Sequence, residues 1–87
     1  MRRRVVVHGR VQGVFFRDSL RRLAEREGVS GWARNTFEGT LEAVFEGEPD
    51  DVERLVSFAK IGPPDAIVKA VNVSQEEPEG LTGFSIR

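Results

Sequence analysis

The sequence has no cysteine and only one histidine, His8, among its 87 residues. The absence of cysteine excludes a thiolate nucleophile, a disulfide framework and cysteine-ligated zinc or iron–sulfur sites. A single histidine excludes a His-rich metal centre and a pair of catalytic histidines. Any chemistry must therefore come from Arg, Asp, Glu, Asn, Ser, Thr, this one histidine and the backbone.

The sequence also lacks a long hydrophobic run and an excess of either charge. The apolar run Val5–Val7 ends at His8, far short of a signal-peptide core of about 7–15 residues or a membrane span of about 20. The protein is therefore expected to be cytoplasmic, with no membrane partner. Thirteen Lys and Arg against 14 Asp and Glu give a net charge of −1. This balance excludes a strongly basic protein that grips nucleic acid along its whole length.

The charges are nevertheless segregated along the chain. Five arginines and no acid lie between Met1 and Arg17, whereas seven acids and no Lys or Arg lie between Glu38 and Glu53. A local positive field can attract an anion even in a neutral protein. The triplet Arg2–Arg4 taken alone is interpreted as a solvated basic strand end that keeps the protein soluble.

The hydrophobic pattern predicts one α+β domain over residues 1–87. Two segments have apolar residues at helical spacing, and they are expected to end at Gly28 and Gly62. β-Branched or alternating apolar residues predict strands at 4–8, 29–35, 40–45, 66–73 and 84–86, and 75–80 is predicted as an acidic turn. The order of elements, βαββαβ plus a terminal strand, is typical of a two-layer ferredoxin-like sandwich with a mostly antiparallel sheet and two helices on one face.

The predicted strand–loop–helix unit Val7–Leu23 fits an anion site. Gly13 allows the backbone to approach a ligand closely, and the first N–H groups of a helix lack intrahelical acceptors at the positive end of its dipole. A cation in the first turn, Arg17, is unfavourable for the isolated helix, but a bound phosphate would explain it because guanidinium and phosphate form paired hydrogen bonds. From the residues alone, a surface ion pair of Arg17 with Asp18, Glu25 or another carboxylate remains the alternative.

Two longer motifs resemble the acylphosphatase family. The segment Gly9–Arg17, which reads GRVQGVFFR, looks like the family's signature. Residues 31–35 (GWARN) followed by 38–42 (EGTLE) resemble its second signature, and 62–64 (GPP) and 84–87 (FSIR) resemble later landmarks. The resemblance covers Val5 to Arg87, and it implies a βαββαβ fold. Because the chain starts at Met1 and closes with the family's terminal strand, we expect a complete, stand-alone protein, with a domain cut from a larger protein as the alternative.

The resemblance also implies a reaction, the hydrolysis of a small-molecule acyl phosphate to a carboxylate and inorganic phosphate. By this resemblance Arg17 binds the phosphoryl oxygens, Asn35 holds the attacking water, and the phosphate is cradled by the backbone N–H groups of Gln12, Gly13, Val14, Phe15 and Phe16. An acyl phosphate is already activated and its transition state is loose, so positioning and electrostatic donors suffice. No metal or other cofactor is expected. The protein is expected to be a monomer that inorganic phosphate inhibits by competition.

The other polar and aromatic candidates are given structural roles. His8 is interpreted as a strand residue and Ser19 as a bracing hydroxyl, because neither has an identifiable catalytic partner. Trp32 and Phe37 are expected in core and turn packing, and Arg34 in a surface ion pair with Glu42 or Glu38.

The alternative function is a non-catalytic ferredoxin-like module that binds an anion, a regulatory ligand or RNA. RNA is disfavoured because the predicted sheet lacks the aromatic-rich motifs of RNA-recognition domains. Phosphate binding without hydrolysis would identify such a module.

Overall fold

The computed structural model describes residues 1–87, which form five strands and two helices. In chain order the elements are β1 (Arg2–Arg10), α1 (Phe16–Glu27), β2 (Ser30–Asn35), β3 (Leu41–Glu46), α2 (Pro49–Ile61), β4 (Ile67–Glu76) and β5 (Phe84–Ile86). Neither helix is both long and apolar enough to cross a membrane.

The strands form one mixed sheet in the order β4-β1-β3-β2-β5. β1 pairs antiparallel with both β3 and β4, and β2 pairs antiparallel with β3. Only β5 runs parallel to its neighbour, β2, through residues 84–86 and 31–33. The expected ferredoxin-like α+β fold is thereby confirmed, with β5 as an additional strand at one edge.

The core lies between the helices and one face of the sheet. Strand alternation places Val5 and Val7 of β1 on that face, where they are fully buried in a cluster of 17 apolar residues. α1 contributes Leu20 and α2 contributes Leu55 to the same cluster. The helices therefore cover one face of the sheet, and the other face carries mostly polar side chains together with the buried Trp32 and Val44.

The helix ends follow the predicted signals. α1 ends at Gly28, whose left-handed backbone (φ 73°) lets its N–H donate to the Ala24 carbonyl oxygen. α2 begins at Pro49 with Asp50 and Asp51 in its first turn, where acids interact favourably with the helix dipole.

Two strands are longer than the sequence predicted. β1 begins at Arg2 rather than residue 4, and β4 continues to Glu76, so the first two residues of the predicted 75–80 turn are strand. The cause is their mutual pairing, since Arg2 lies opposite Glu76 and Arg3 opposite Gln75. Local sequence does not reveal this pairing across 74 positions.

The interpretation of Arg2–Arg4 as a solvated strand end is wrong for Arg2, which is only 3% exposed. Its guanidinium pairs with Glu46 at 2.6 Å, Glu76 at 2.8 Å and Glu79 at 3.2 Å. Arg4 also pairs with Glu76, at 2.6 Å. The N-terminal positive charge is therefore neutralised by carboxylates at the end of β1 opposite the β1–α1 loop.

Glu46 is the buried centre of this cluster. Its carboxylate accepts hydrogen bonds from the backbone N–H groups of Glu79 (2.9 Å), Gly80 (3.1 Å) and Leu81 (3.0 Å), in addition to the Arg2 ion pair. Burial alone would raise the pKa of Glu46, but these donors favour the ionised form and lower the pKa to about 2. Glu46 thus ties segment 79–81 to the sheet.

The two aromatic residues assigned to packing behave differently. Trp32 is buried, but on the polar face of the sheet, where the guanidinium groups of Arg87 and Arg4 lie 4.5 and 5.5 Å from its ring centroid. Phe37 is fully exposed in the β2–β3 turn, so the expectation that it packs there is wrong.

Candidate active site

A β-bulge between His8 and Gly9 interrupts β1 two residues before the strand ends at Arg10, where the loop to α1 begins. Gly9 has φ 130°, and a β-carbon there would lie 2.1 Å from the carbonyl oxygen of Ile67. Only glycine allows β4 to approach this closely. The bulge re-aims the chain at the end of β1 and sends it towards the start of α1.

α1 begins directly after Phe15, which adopts a left-handed backbone conformation (φ 63°, ψ 27°). The backbone N–H of Ser19 donates to the Phe15 carbonyl oxygen at 3.0 Å, and the Ser19 hydroxyl donates to the same oxygen at 2.8 Å. The predicted bracing role of Ser19 is confirmed by this second bond.

The backbone N–H groups of residues 12–18 donate to no acceptor in the protein, and the first such bond of this segment is the one from Ser19. Unpaired N–H groups at a helix start lie at the positive end of the helix dipole and favour an anion. An N–H group that is shielded from water and has no acceptor raises the free energy of the folded protein. The segment is therefore suited to bind an anion through its backbone.

Arg17 in the first turn forms no ion pair with an Asp or Glu side chain. Its one hydrogen bond in the protein is from Nη1 to the backbone carbonyl oxygen of Arg87, at 3.3 Å. The neighbouring carboxylate of Asp18 instead pairs with Arg21 at 2.6 Å and Arg22 at 3.0 Å. The alternative of an ion pair between Arg17 and Asp18 or Glu25 is therefore wrong, and no side-chain carboxylate neutralises Arg17.

A cavity of about 300 Å³ brings the predicted site residues together at this helix start. Its walls are formed by Val11, Gly13, Phe15, Phe16, Arg17, Asp18, Asn35 and Ile86. Arg17 and Asn35, which are 18 positions apart in sequence, thus face one space.

Two residues of the predicted cradle, Gln12 and Val14, have side chains that do not line the cavity. The Val14 side chain is buried in the core. The Gln12 side-chain amide donates to the carbonyl oxygens of Thr36 (2.8 Å) and Thr40 (3.1 Å). Gln12 therefore braces the loop against the β2–β3 turn, and only its backbone N–H remains for a ligand.

Asn35 is the last residue of β2. Its side-chain oxygen Oδ1 is buried and has no hydrogen-bond partner. A buried unpaired acceptor costs about 1–3 kcal/mol. Because Asn35 is one of the residues that line the cavity, a partner from outside the protein would explain the unpaired oxygen. Asn35 Oδ1 can accept a hydrogen bond from a water or a ligand donor in this cavity.

Two further polar residues named from the sequence, Arg34 and His8, have partners outside the cavity. Arg34 pairs with Glu42 at 2.6 Å, as predicted, and Glu42 also pairs with Arg4. Burial would raise the pKa of Glu42, but the hydrogen bonds from Arg34 and Arg4 lower it. His8 is exposed and lies outside the cavity, with Nε2 at 2.9 Å from Asn72 Oδ1. Its interpretation as a strand residue is confirmed.

Sequence reasoning missed two apolar walls of the cavity, the side chains of Phe15 and Ile86. A left-handed phenylalanine has no sequence signal, because that conformation favours glycine. Ile86 reaches the site only because β5 pairs with β2 in parallel, with Ile86 opposite Ala33. A search for residues beside the end of β2 would have found Ile86 once the strand order was known.

Comparison with known proteins identifies similar chains of similar length. A family model described as Acylphosphatase matches residues 3–86. A curated protein named Acylphosphatase from Gloeobacter violaceus is 50% identical over 99% of this chain and 92% of its own length. Another of the same name, from Rubrobacter xylanophilus, is 56% identical over 97% of this chain and 77% of its own length.

A solved structure agrees with the sequence comparisons. The crystal structure of acylphosphatase from Bacillus subtilis superposes with a TM-score of 0.93 and 33% identity, covering 99% of this chain and 97% of that one. Similarity of this extent includes every element that surrounds the cavity.

Proposed function

The chain belongs to the acylphosphatase family, whose members hydrolyse acyl phosphates, and we propose that Arg17, Asn35 and the backbone N–H groups of residues 12–16 carry out this reaction. The substrate is a small mixed anhydride of a carboxylic acid and phosphate. Its phosphoryl group lies at the N-terminus of α1, and its acyl group extends towards the mouth of the cavity.

Arg17 holds the phosphoryl group in this proposal. It is the arginine in the cavity wall, and no Asp or Glu side chain pairs with it. Guanidinium presents paired, planar donors that match two phosphoryl oxygens. Arg17 lies in the first helical turn, so its charge adds to that of the unpaired N–H groups of residues 12–16. Together they stabilise the negative charge spread over the phosphoryl oxygens in a loose transition state.

Asn35 positions the water. Its buried Oδ1 accepts a hydrogen bond from the water, and an amide does this without acting as a strong base. The water oxygen forms a bond to phosphorus as the bond from phosphorus to the acyl oxygen breaks. The carboxylate leaves with that electron pair, and the water's proton passes to a phosphoryl oxygen of the substrate. The products are a carboxylate and inorganic phosphate.

One observation carries the proposal, namely that Asn35, whose buried Oδ1 has no hydrogen-bond partner, lines the same cavity as Arg17 and the start of α1. A structural asparagine at the end of a strand would have its acceptor paired. An anion-binding site alone would need the arginine and the N–H groups, but it would not need an unpaired acceptor.

The test is hydrolysis of benzoyl phosphate by the purified protein, with and without a chelator, and with inorganic phosphate as a competitor. Arg17→Ala is expected to lower kcat/KM by about 100–1,000-fold and to weaken inhibition by phosphate. Asn35→Ala is expected to lower kcat by a similar factor while the inhibition constant of phosphate stays unchanged, because Asn35 holds the water.

Arg26→Ala provides the matched control. Arg26 lies on the same helix, is exposed, and has its only ion pair with Glu27, at 3.8 Å. Its loss is therefore expected to leave kcat/KM and the inhibition constant of phosphate unchanged. Full activity in the Arg17→Ala variant would refute the assignment of the phosphate site. Phosphate binding by the wild type without hydrolysis would favour the non-catalytic module instead.

A further inference from the structure

Phe15 has a backbone conformation that its own side chain disfavours. Its φ of 63° makes it the only non-glycine residue with a positive φ, and eight glycines account for all the others. A β-carbon in the left-handed region clashes with the following carbonyl group, whereas glycine avoids this clash. Glycine would therefore suit position 15 better if only the turn into α1 mattered.

Burial does not offset this strain. The side chain of Phe15 is 76% exposed and lies outside the buried cluster of 17 residues. A large apolar ring that remains mostly in water contributes little to stability. Neither the turn nor the core therefore explains why phenylalanine is present at this position.

The position of Phe15 supplies the explanation, since it forms part of the wall of the cavity that contains Arg17 and Asn35. Ile86, which is also partly exposed, forms another apolar part of the same wall. A water molecule takes up about 30 Å³ in the liquid, so a cavity of about 300 Å³ has room beside a phosphoryl group. The phosphoryl oxygens need polar donors, and apolar walls suit the remainder of the substrate.

We propose that Phe15, together with Ile86, contacts the acyl group and makes the enzyme prefer acyl phosphates with an apolar or aromatic acyl group over those with a small one. An aromatic acyl group covers the exposed ring and removes apolar surface of both from water. This inference rests on the proposed function, because it needs the phosphoryl group to lie against Arg17.

The test is the selectivity of the enzyme, measured as kcat/KM for benzoyl phosphate divided by kcat/KM for acetyl phosphate. Phe15→Ala is expected to lower this ratio about fivefold, because the benzoyl ring loses its apolar contact while the acetyl group had little to lose. The ratio cancels any loss common to both substrates, such as a small displacement of the Phe15 N–H. Ile86→Ala is expected to lower the ratio by a smaller factor, and it remains informative if Phe15→Ala fails to fold.

Phe37→Ala is the matched control, because Phe37 is equally apolar and fully exposed but lies outside the cavity. Its ratio is expected to equal that of the wild type. A wild-type ratio retained by both Phe15→Ala and Ile86→Ala overturns the inference. Failure of the wild type to hydrolyse either compound would instead refute the proposed function, so the two failures are distinguishable.

Discussion

Replacing Glu46 by glutamine should destabilise the protein by an amount that depends on pH. Glutamine keeps the shape of the side chain but removes the charge that Arg2 and the N–H groups of residues 79–81 stabilise. Folding lowers the pKa of Glu46 from an ordinary 4.5 to about 2. At about 1.4 kcal/mol per unit, this shift corresponds to about 3 kcal/mol of stability at neutral pH. Breaking a buried ion pair from one side costs a similar amount, about 3–5 kcal/mol.

The pH window follows from the direction of the shift. The unfolded chain binds the proton more tightly, so the contribution of Glu46 is complete above pH 4.5 and is lost as the pH falls through about 2. The free energy of unfolding of the wild type should therefore exceed that of Glu46→Gln by about 3 kcal/mol at pH 7. The advantage should shrink to between about 1 and 2 kcal/mol at pH 3 and to less than about 1 kcal/mol at pH 2.

The assay is urea denaturation of both proteins followed by circular dichroism at pH 7, 5 and 3. A difference of about 3 kcal/mol lowers the urea midpoint by roughly 2 M for a protein of this size. Glu38→Gln is the control, because Glu38 is exposed in the β2–β3 turn and makes no ion pair; its change is expected to stay within about 0.5 kcal/mol. The reasoning would be refuted if Glu46→Gln were as stable as the wild type at pH 7, or if its loss of stability stayed constant down to pH 3.

Three further substitutions test other parts of the structure by the same denaturation assay. Gly31→Ala should cost at least about 3 kcal/mol, since its β-carbon would lie 1.9 Å from the Val44 carbonyl oxygen; a loss below 1 kcal/mol would contradict the close approach of β2 and β3. Phe15→Gly should raise stability by about 1 kcal/mol by relieving the left-handed strain, and a loss would show that the exposed ring stabilises the fold. Gln12→Ala should cost about 1 kcal/mol through its two hydrogen bonds, with unchanged stability as the opposing result.

Elements defined by local signals were predictable from the sequence. Gly28 and Pro49 mark helix ends by conformational preferences that act within a few residues. The alternation of Leu41, Ala43 and Phe45 likewise marks the buried face of β3. The candidate site was predicted from the resemblance to a family. The spacing of residues alone did not decide whether Arg17 binds a phosphate or pairs with a carboxylate.

Features that depend on distant partners were not predictable. Arg2 looked like a solvated cation because the carboxylates that enclose it lie 44 and more positions away. The extension of β4 to Glu76 has the same origin, since it depends on pairing with β1. Phe37 shows the reverse case. Its apolar side chain suggested that it would pack in the β2–β3 turn, but it is fully exposed there.

The short strand β5 is the last part of the cavity to be synthesised. Ile86 forms part of the cavity wall and Arg87 accepts a hydrogen bond from Arg17, whereas the β1–α1 loop lies about 70 positions earlier. At about 5–20 residues per second, a ribosome needs roughly 4–14 s to make the chain between them. A nascent chain therefore carries the loop for seconds before Ile86 can complete the cavity wall, and the cavity should form fully only once residues 84–86 have emerged and paired with β2.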